Sequence, residues 1–207
     1  MGKHRHGEFS GLVQAKWCTD GRKMVLQQDL TFTDSRDVPW EVPHGAMIDG
    51  ASIPHIFWSF GLGPYEGRFR DGSVVHDYAC CMQIRTSPEA HRMFYDAMRA
   101  RGEKRWRAKL MYWAVVWFGP DWPQEPEKAD FTEDDLARAW IFFQREEEIS
   151  LDEVDQLDAD ALRRREPTPS HEFMARHRLI SGRRVEPFEK LWPCHESDLP
   201  AGGCGKL

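Results

Sequence analysis

Two helical segments lie back to back in residues 86–119, TSPEAHRMFYDAMRARG and EKRWRAKLMYWAVVWFG, separated by one glycine and closed by Gly119-Pro120. This punctuation leaves the region little freedom. Ser87 is expected as the N-cap of the first segment, with Pro88 in its first turn and Gly102 as its stop. In the second, Trp106, Leu110, Trp113, Ala114 and Trp117 recur at helical spacing. A shorter segment, SVVHDYACCMQI, precedes them with Ser73 as expected N-cap, and the three together predict a helical core.

The flanks read differently. Residues 8–45 are β-rich: LVQAKWC and KMVLQQDLTF flank Asp20-Gly21, a hairpin turn signal. VPWEVPHG is extended by its prolines. The run IDGASIPHIFW then places Asp49 on a glycine turn before the helices. After the linker PDWPQEPEKAD, an amphipathic acidic helix is expected from Thr132, with Leu136, Trp140, Ile141 and Phe143 on its apolar face. SLDEVDQLDADALRRRE is read as one more helix. From Pro167 the chain is polar and punctuated, and loose order is expected. The expected fold is α+β, with a small N-terminal antiparallel β-sheet, a helical core built on a His-Asp helix hairpin, and accessory helices. The divisions are a core over 1–120 (β-rich 8–58, helical 73–119), accessory helices over 121–166 and a tail over 167–207.

Charge and composition narrow the function. The formal net charge is −6, so no global basic excess points to nucleic acid. No run approaches ~18 apolar residues, so no membrane span is expected. MGKHRHGEFS has no apolar stretch of a secretory signal, and His6 stands where myristoylation wants Ser or Thr. The five cysteines are expected to be reduced, in a cytoplasmic setting, with Cys80 and Cys81 as buried small hydrophobes. Cys194, His195 and Cys204 lack a fourth ligand at zinc spacing. The basic cluster Arg99, Arg101, Lys104, Arg105, Arg107 and Lys109, and the acids Glu89, Asp96 and Glu103, read as solvated helix faces.

Chemistry concentrates in the centre. Ser87, His91, Phe94, Tyr95 and Met98 share one helix face, so His76 and His91 can meet across a hairpin seam. Asp77 then points toward the loop of Asp49. Asp49 and Asp77, with the Gly50 carbonyl, form a candidate clamp for one hard cation such as Ca2+. His76 beside it is a candidate general base. The bland readings are a tight turn at Asp49-Gly50 and a core histidine at His91.

The series IDGASIP, VVHDY, EAHRMFYDAMRARG and YWAVVWFG, from about Phe9 to Gly119, resembles a widespread, phage-associated family of unknown function, domain-of-unknown-function family 1353. More remotely, Asp49-Gly50-Ala51-Ser52, His76-Asp77-Tyr78 and MFYDAM are similar to the bacterial and fungal secretory phospholipases. That likeness implies Asp49, the Gly50 carbonyl and Asp77 as calcium ligands and His76 as base. Two positions depart from it. Ala51 replaces a disulfide cysteine of the turn, and His91 stands where those enzymes carry the aspartate that orients the catalytic histidine. A histidine there leaves three outcomes: a broken dyad, a Zn2+ ion held by His76 and His91 with Asp77 or Asp49, or a neutral His91 that accepts a hydrogen bond from His76.

The leading expectation is a phage-derived, phospholipase-like metal-dependent hydrolase acting on a lipid or other acyl bond, with His76 and His91 catalytic. The alternatives are a non-catalytic virion or assembly protein that meets phage structural proteins, and a metal-binding interaction module. Host cytoplasm or virion is the expected location.

Overall fold

The computed structural model describes residues 5–18, 23–48, 67–122 and 130–185. Two small antiparallel sheets come first, where one was expected. β1 (Glu8–Phe9), β4 (Leu30–Thr33) and β5 (Pro39–Val42) form a sheet in the order β1-β4-β5; β2 (Ala15–Trp17), β3 (Met24–Leu26) and β6 (Met47–Ile48) form another in the order β2-β3-β6. Alternation does its ordinary work in the first sheet. Leu30, Phe32, Trp40 and Val42 are buried, and the register sets Leu30 opposite Val42 and Phe32 opposite Trp40. β2 and β3 pair antiparallel as the hairpin signal predicts; its turn residues, 19–22, lie outside the described residues.

Seven helices follow in the described residues: α1 (Arg70–Cys81), α2 (Ser87–Ala100), α3 (Arg105–Phe118), α4 (Glu133–Arg145), α5 (Leu151–Asp155), α6 (Ala159–Arg165) and α7 (His171–Arg176). The expected α+β order, sheet first and helices after, is the observed one. Several boundaries differ for local reasons. α1 begins three residues before Ser73, whose hydroxyl instead donates to the Phe69 carbonyl at 3.2 Å from inside the helix. Gly72 lets this earlier turn approach α2: a Cβ there would come within 3.1 Å of the Ala97 Cβ. Thr86, not Ser87, caps α2 in a reciprocal capping box with Glu89. That leaves the Ser87 hydroxyl available elsewhere. Gly102 follows the helix with φ +78°, as its stop role requires.

The C-terminal half is more ordered than its composition suggests. Thr132 and Asp135 form the capping box of α4. The expected single helix after Ser150 is two, because Ser150 and Asp158 each cap a separate short helix. Loose order from Pro167 is not what residues 167–185 show. They form α7 and then return to α4, where Thr132 bridges Arg184 and the Val185 N–H donates to the Phe131 carbonyl at 2.8 Å. The remaining tail, with Cys194, His195 and Cys204, lies outside the described residues.

α2 divides two apolar clusters. Ala90, Met93 and Ala97 belong with the sheets and α1; Phe94, Tyr95 and Met98 belong with α3 and the C-terminal helices. Lys104 of the basic cluster is exposed, but the rest is a half-buried, partnered face and not a solvated one. Arg101 meets Asp71 at 2.7 Å, Arg107 lies 3.8 Å from the buried Glu103, Arg105 pairs with Glu148, and buried Lys109 donates to the Glu147 carbonyl. The acidic segment after α4 folds back to meet Arg105 and Lys109, which a linear reading of the basic run does not reveal.

Candidate metal centre

α1 and α2 run as a hairpin in which Gly72 meets Ala97 and His76 meets His91. His76 sits on the face of α1 turned to α2. His91 sits one turn into α2, on the face shared with Ser87. The two rings are in hydrogen-bond contact, His76 Nε2 to His91 Nδ1 at 2.9 Å. Cys80 lies four residues after His76, one turn on along the same face, and its Sγ is 3.5 Å from His76 Nε2. The donor atoms of His76, Cys80 and His91 all lie within 4.8 Å of one another. The three residues are only 1, 5 and 2 % exposed.

The surroundings fix the rings. Phe94 stacks on His76 with ring centroids 4.7 Å apart. Trp122 meets His91 edge-on at 6.3 Å and anchors its own indole N–H on the Arg85 carbonyl at 2.7 Å. His91 Nε2, on the far side of the ring from His76, has no hydrogen-bond partner among the described residues; Asp121 Oδ1 faces it at 3.8 Å. Asp121 Oδ1 also accepts from the Ser87 hydroxyl at 3.1 Å.

These donors fit a zinc-class ion. With Zn–N near 2.0–2.1 Å and Zn–S near 2.3 Å, tetrahedral donors stand roughly 3.3–3.6 Å apart. The 3.5 Å sulfur–nitrogen separation falls in that range. The 2.9 Å nitrogen–nitrogen contact is a hydrogen bond, which an ion would replace by parting the rings a few tenths of an ångström. Two imidazoles and a thiol suit zinc or a similar transition ion far better than calcium, which takes oxygen.

Electrostatics favour a neutral His76. Burial first, and the neighbouring His91 second, hold the His76 imidazole well below its ordinary value near 6.5. His76 is therefore a neutral imidazole at neutral pH, with no second proton to compete with an ion. The same shift makes stability depend on pH. A depressed folded value means the unfolded chain binds the proton first, so His76's contribution is complete above about pH 6.5 and fades as pH falls toward the folded value. Denaturant melts of metal-free protein from pH 7.5 to 4.5 should show stability falling by up to about 1.4 kcal/mol per pH unit below pH 6.5. His76→Gln should flatten that slope. An equal slope in the variant would assign the loss to other groups.

The expected residues fall as follows. His76 and His91 meet. Asp77 is buried on α1 but is not among the converging donors. Asp49 and Gly50, on which the calcium clamp depends, lie outside the described residues. Cys80, expected only as a small hydrophobe, is a converging donor, and its four-residue spacing from His76 is a readable signal. Its neighbour points about a hundred degrees away around the helix, and the two have different fates: Cys81, like Cys18, is disulfide-bonded, whereas Cys80 keeps its thiol. The expectation of uniformly reduced cysteines is corrected accordingly. Asp121 gave no sequence signal, since it stands in a Pro-rich linker thirty residues from its target.

Comparison with known proteins adds two relatives. The chain is 50% identical over 100 residues to "Uncharacterized protein y4jT" of Sinorhizobium fredii, covering 48% of this chain and 30% of that protein. It is 38% identical over 103 residues to "Uncharacterized protein y4iH" of the same organism, covering 50% of this chain and 43% of that protein. The chain thus spans less than half the length of the curated relatives it matches. No solved structure matches. Residues 24–115, a narrower stretch than the Phe9–Gly119 resemblance, match the family described as "Protein of unknown function (DUF1353)". What the chain shares with that family is the segment from β3 into α3, which carries His76, Cys80 and His91.

Proposed function

We propose that this protein is a metal-dependent hydrolase of ester or other acyl bonds, and that its ion is a zinc-class cation held by His76, Cys80 and His91. The observation that carries this reading is the convergence of three buried donors within 4.8 Å. A divalent cation on three protein donors supplies Lewis acidity toward an acyl carbonyl and keeps a position for a non-protein oxygen. The chain's own contribution is to hold His76 neutral, to supply the charge of the Cys80 thiolate, and to keep bulk water from the donors behind Phe94 and Trp122. The acyl substrate, and a phage origin, rest on resemblance to the secretory phospholipases and to the phage-associated family.

A second reading has its own support. The donors' near-complete burial also suits a metal-binding module with no turnover. One experiment separates the readings. Chelator-treated protein is titrated with Zn2+, Co2+ and Ca2+ by calorimetry and absorption, then assayed on nitrophenyl esters and phospholipid vesicles. One Zn2+ or Co2+ bound per chain, with turnover abolished by His76→Ala, is the expected result. Binding without turnover would favour the module. Calcium binding lost in Asp49→Asn and Asp77→Asn would return the ion to the oxygen clamp. Binding of none of these ions would overturn the metal reading and leave the non-catalytic virion or assembly role.

A further inference from the structure

We propose that Asp121 is the positioning residue of this centre: it fixes the proton of His91 on Nε2 and so turns Nδ1, bare, toward His76 and Cys80. The inference rests on the metal reading above for its effect on affinity, but its tautomer claim stands on the metal-free geometry alone.

His91 has one nitrogen on each side of the seam. Nδ1 faces the donor cluster at 2.9 Å from His76. Nε2 is buried, without a hydrogen-bond partner among the described residues, and opposite Asp121 Oδ1 at 3.8 Å. A neutral imidazole carries one proton. Placing it on Nε2 directs it at a carboxylate; placing it on Nδ1 would leave a buried lone pair facing that carboxylate, which is unfavourable. The carboxylate therefore sets the direction of the whole chain of contacts. His91 Nε2–H points to Asp121, and His91 Nδ1 accepts from His76 Nε2–H.

Asp121 is itself placed for this work. It follows Gly119-Pro120 at the end of α3, and the Ser87 hydroxyl donates to its Oδ1 at 3.1 Å. Ser87 is the first residue of α2, so the carboxylate sits at the positive end of that helix. The capping of α2 by Thr86 is what releases Ser87 for this contact. Ligating histidines commonly donate their second N–H to a carboxylate, and losing that partner weakens metal binding by about 10–100-fold. The 3.8 Å gap is longer than a hydrogen bond, and a ring drawn toward Asp121 as the two imidazoles part around an ion would shorten it.

The test uses Co2+ as probe and full-length protein. Asp121→Asn should weaken Co2+ binding by about 10–100-fold, Asp121→Glu should recover part of that loss, and Ser87→Ala should fall between. In stripped protein, 15N NMR should show His91 protonated on Nε2 in the wild type and redistributed between tautomers in Asp121→Asn. Wild-type Co2+ affinity in Asp121→Asn with an unchanged tautomer would overturn the inference while leaving the metal centre standing. If the wild type binds no Co2+, the metal reading fails, and the tautomer measurement alone decides the role of Asp121. Should Asp121→Asn not fold, Asp121→Glu and Ser87→Ala carry both readouts.

Discussion

Cys80→Ser is expected to weaken zinc binding by on the order of 100-fold or more while leaving the fold in place. The substitution is nearly isosteric, so it opens no cavity in the apolar cluster that Cys80 shares with Val74, Val75 and Ala79. A serine hydroxyl can still hydrogen-bond His76, because the sulfur it replaces lies 3.5 Å from Nε2. What disappears is the thiolate, the one donor in the set able to bring negative charge and a soft lone pair to the ion. The two imidazoles alone cannot neutralise a divalent cation in a site this buried. The measurement is the Co2+ titration followed by the sulfur-to-metal charge-transfer band in the near ultraviolet, which should vanish in Cys80→Ser. If zinc and cobalt bind the variant as they bind the wild type, Cys80 is a core residue and the ion, if any, is held elsewhere. Thermal stability of the metal-free proteins should agree within about 1 kcal/mol, so a lost fold cannot imitate a lost ligand.

How much of this centre could be read from the chain follows from how local each signal is. Helical period placed His76 and His91 on facing sides of α1 and α2, and the seam contact is as that spacing predicts. Thr132 announced α4 because a capping box is written in four consecutive residues. Ser73 and Ser87 misled for the same local reason: each looks like a cap, but Gly72 packing on Ala97 extends α1, and Thr86 with Glu89 offers the better box. The partition of the sheets was not legible, since β1 crosses to pair with β4 while β2 pairs with β3. Nor was the pairing of Arg105 and Lys109 with residues 147 and 148, some forty positions away. Asp121 belongs to that class too. Its role depends on where the chain after α3 returns, which no period or cap encodes.

Asp135→Ala should be the most damaging single change in the C-terminal half, at about 3 kcal/mol, or roughly 6–12 °C in Tm. Asp135 is fully buried at the start of α4. It accepts from the Thr132 N–H and hydroxyl at 2.9 Å each, from Arg138 at 2.8 Å, and from Arg163 of α6 at 3.0 and 2.6 Å. Alanine removes the cap and strands the two guanidiniums. Arg163 is 41% exposed along its side chain and can turn to water, whereas Arg138, at 12%, cannot do so fully; the cost is therefore set near the low end of a broken buried pair. Asp160→Ala is the matched control. It also removes a partner of Arg163, but its side chain is 72% exposed, and a change within about 0.5 kcal/mol is expected. Acid provides an independent check. Burial alone would raise the Asp135 carboxyl, but hydrogen bonds from Arg163 and Thr132 outweigh it and hold the group below its ordinary 3.8. A depressed folded value means its contribution is present above about pH 4 and lost as pH falls through the folded value. Asp135→Asn should therefore lose less stability than the wild type between pH 4 and pH 2. An equal loss in both, or a Tm for Asp135→Ala within a degree or two of the wild type, would show that the α4–α6 contact is held by its apolar residues and not by this carboxylate.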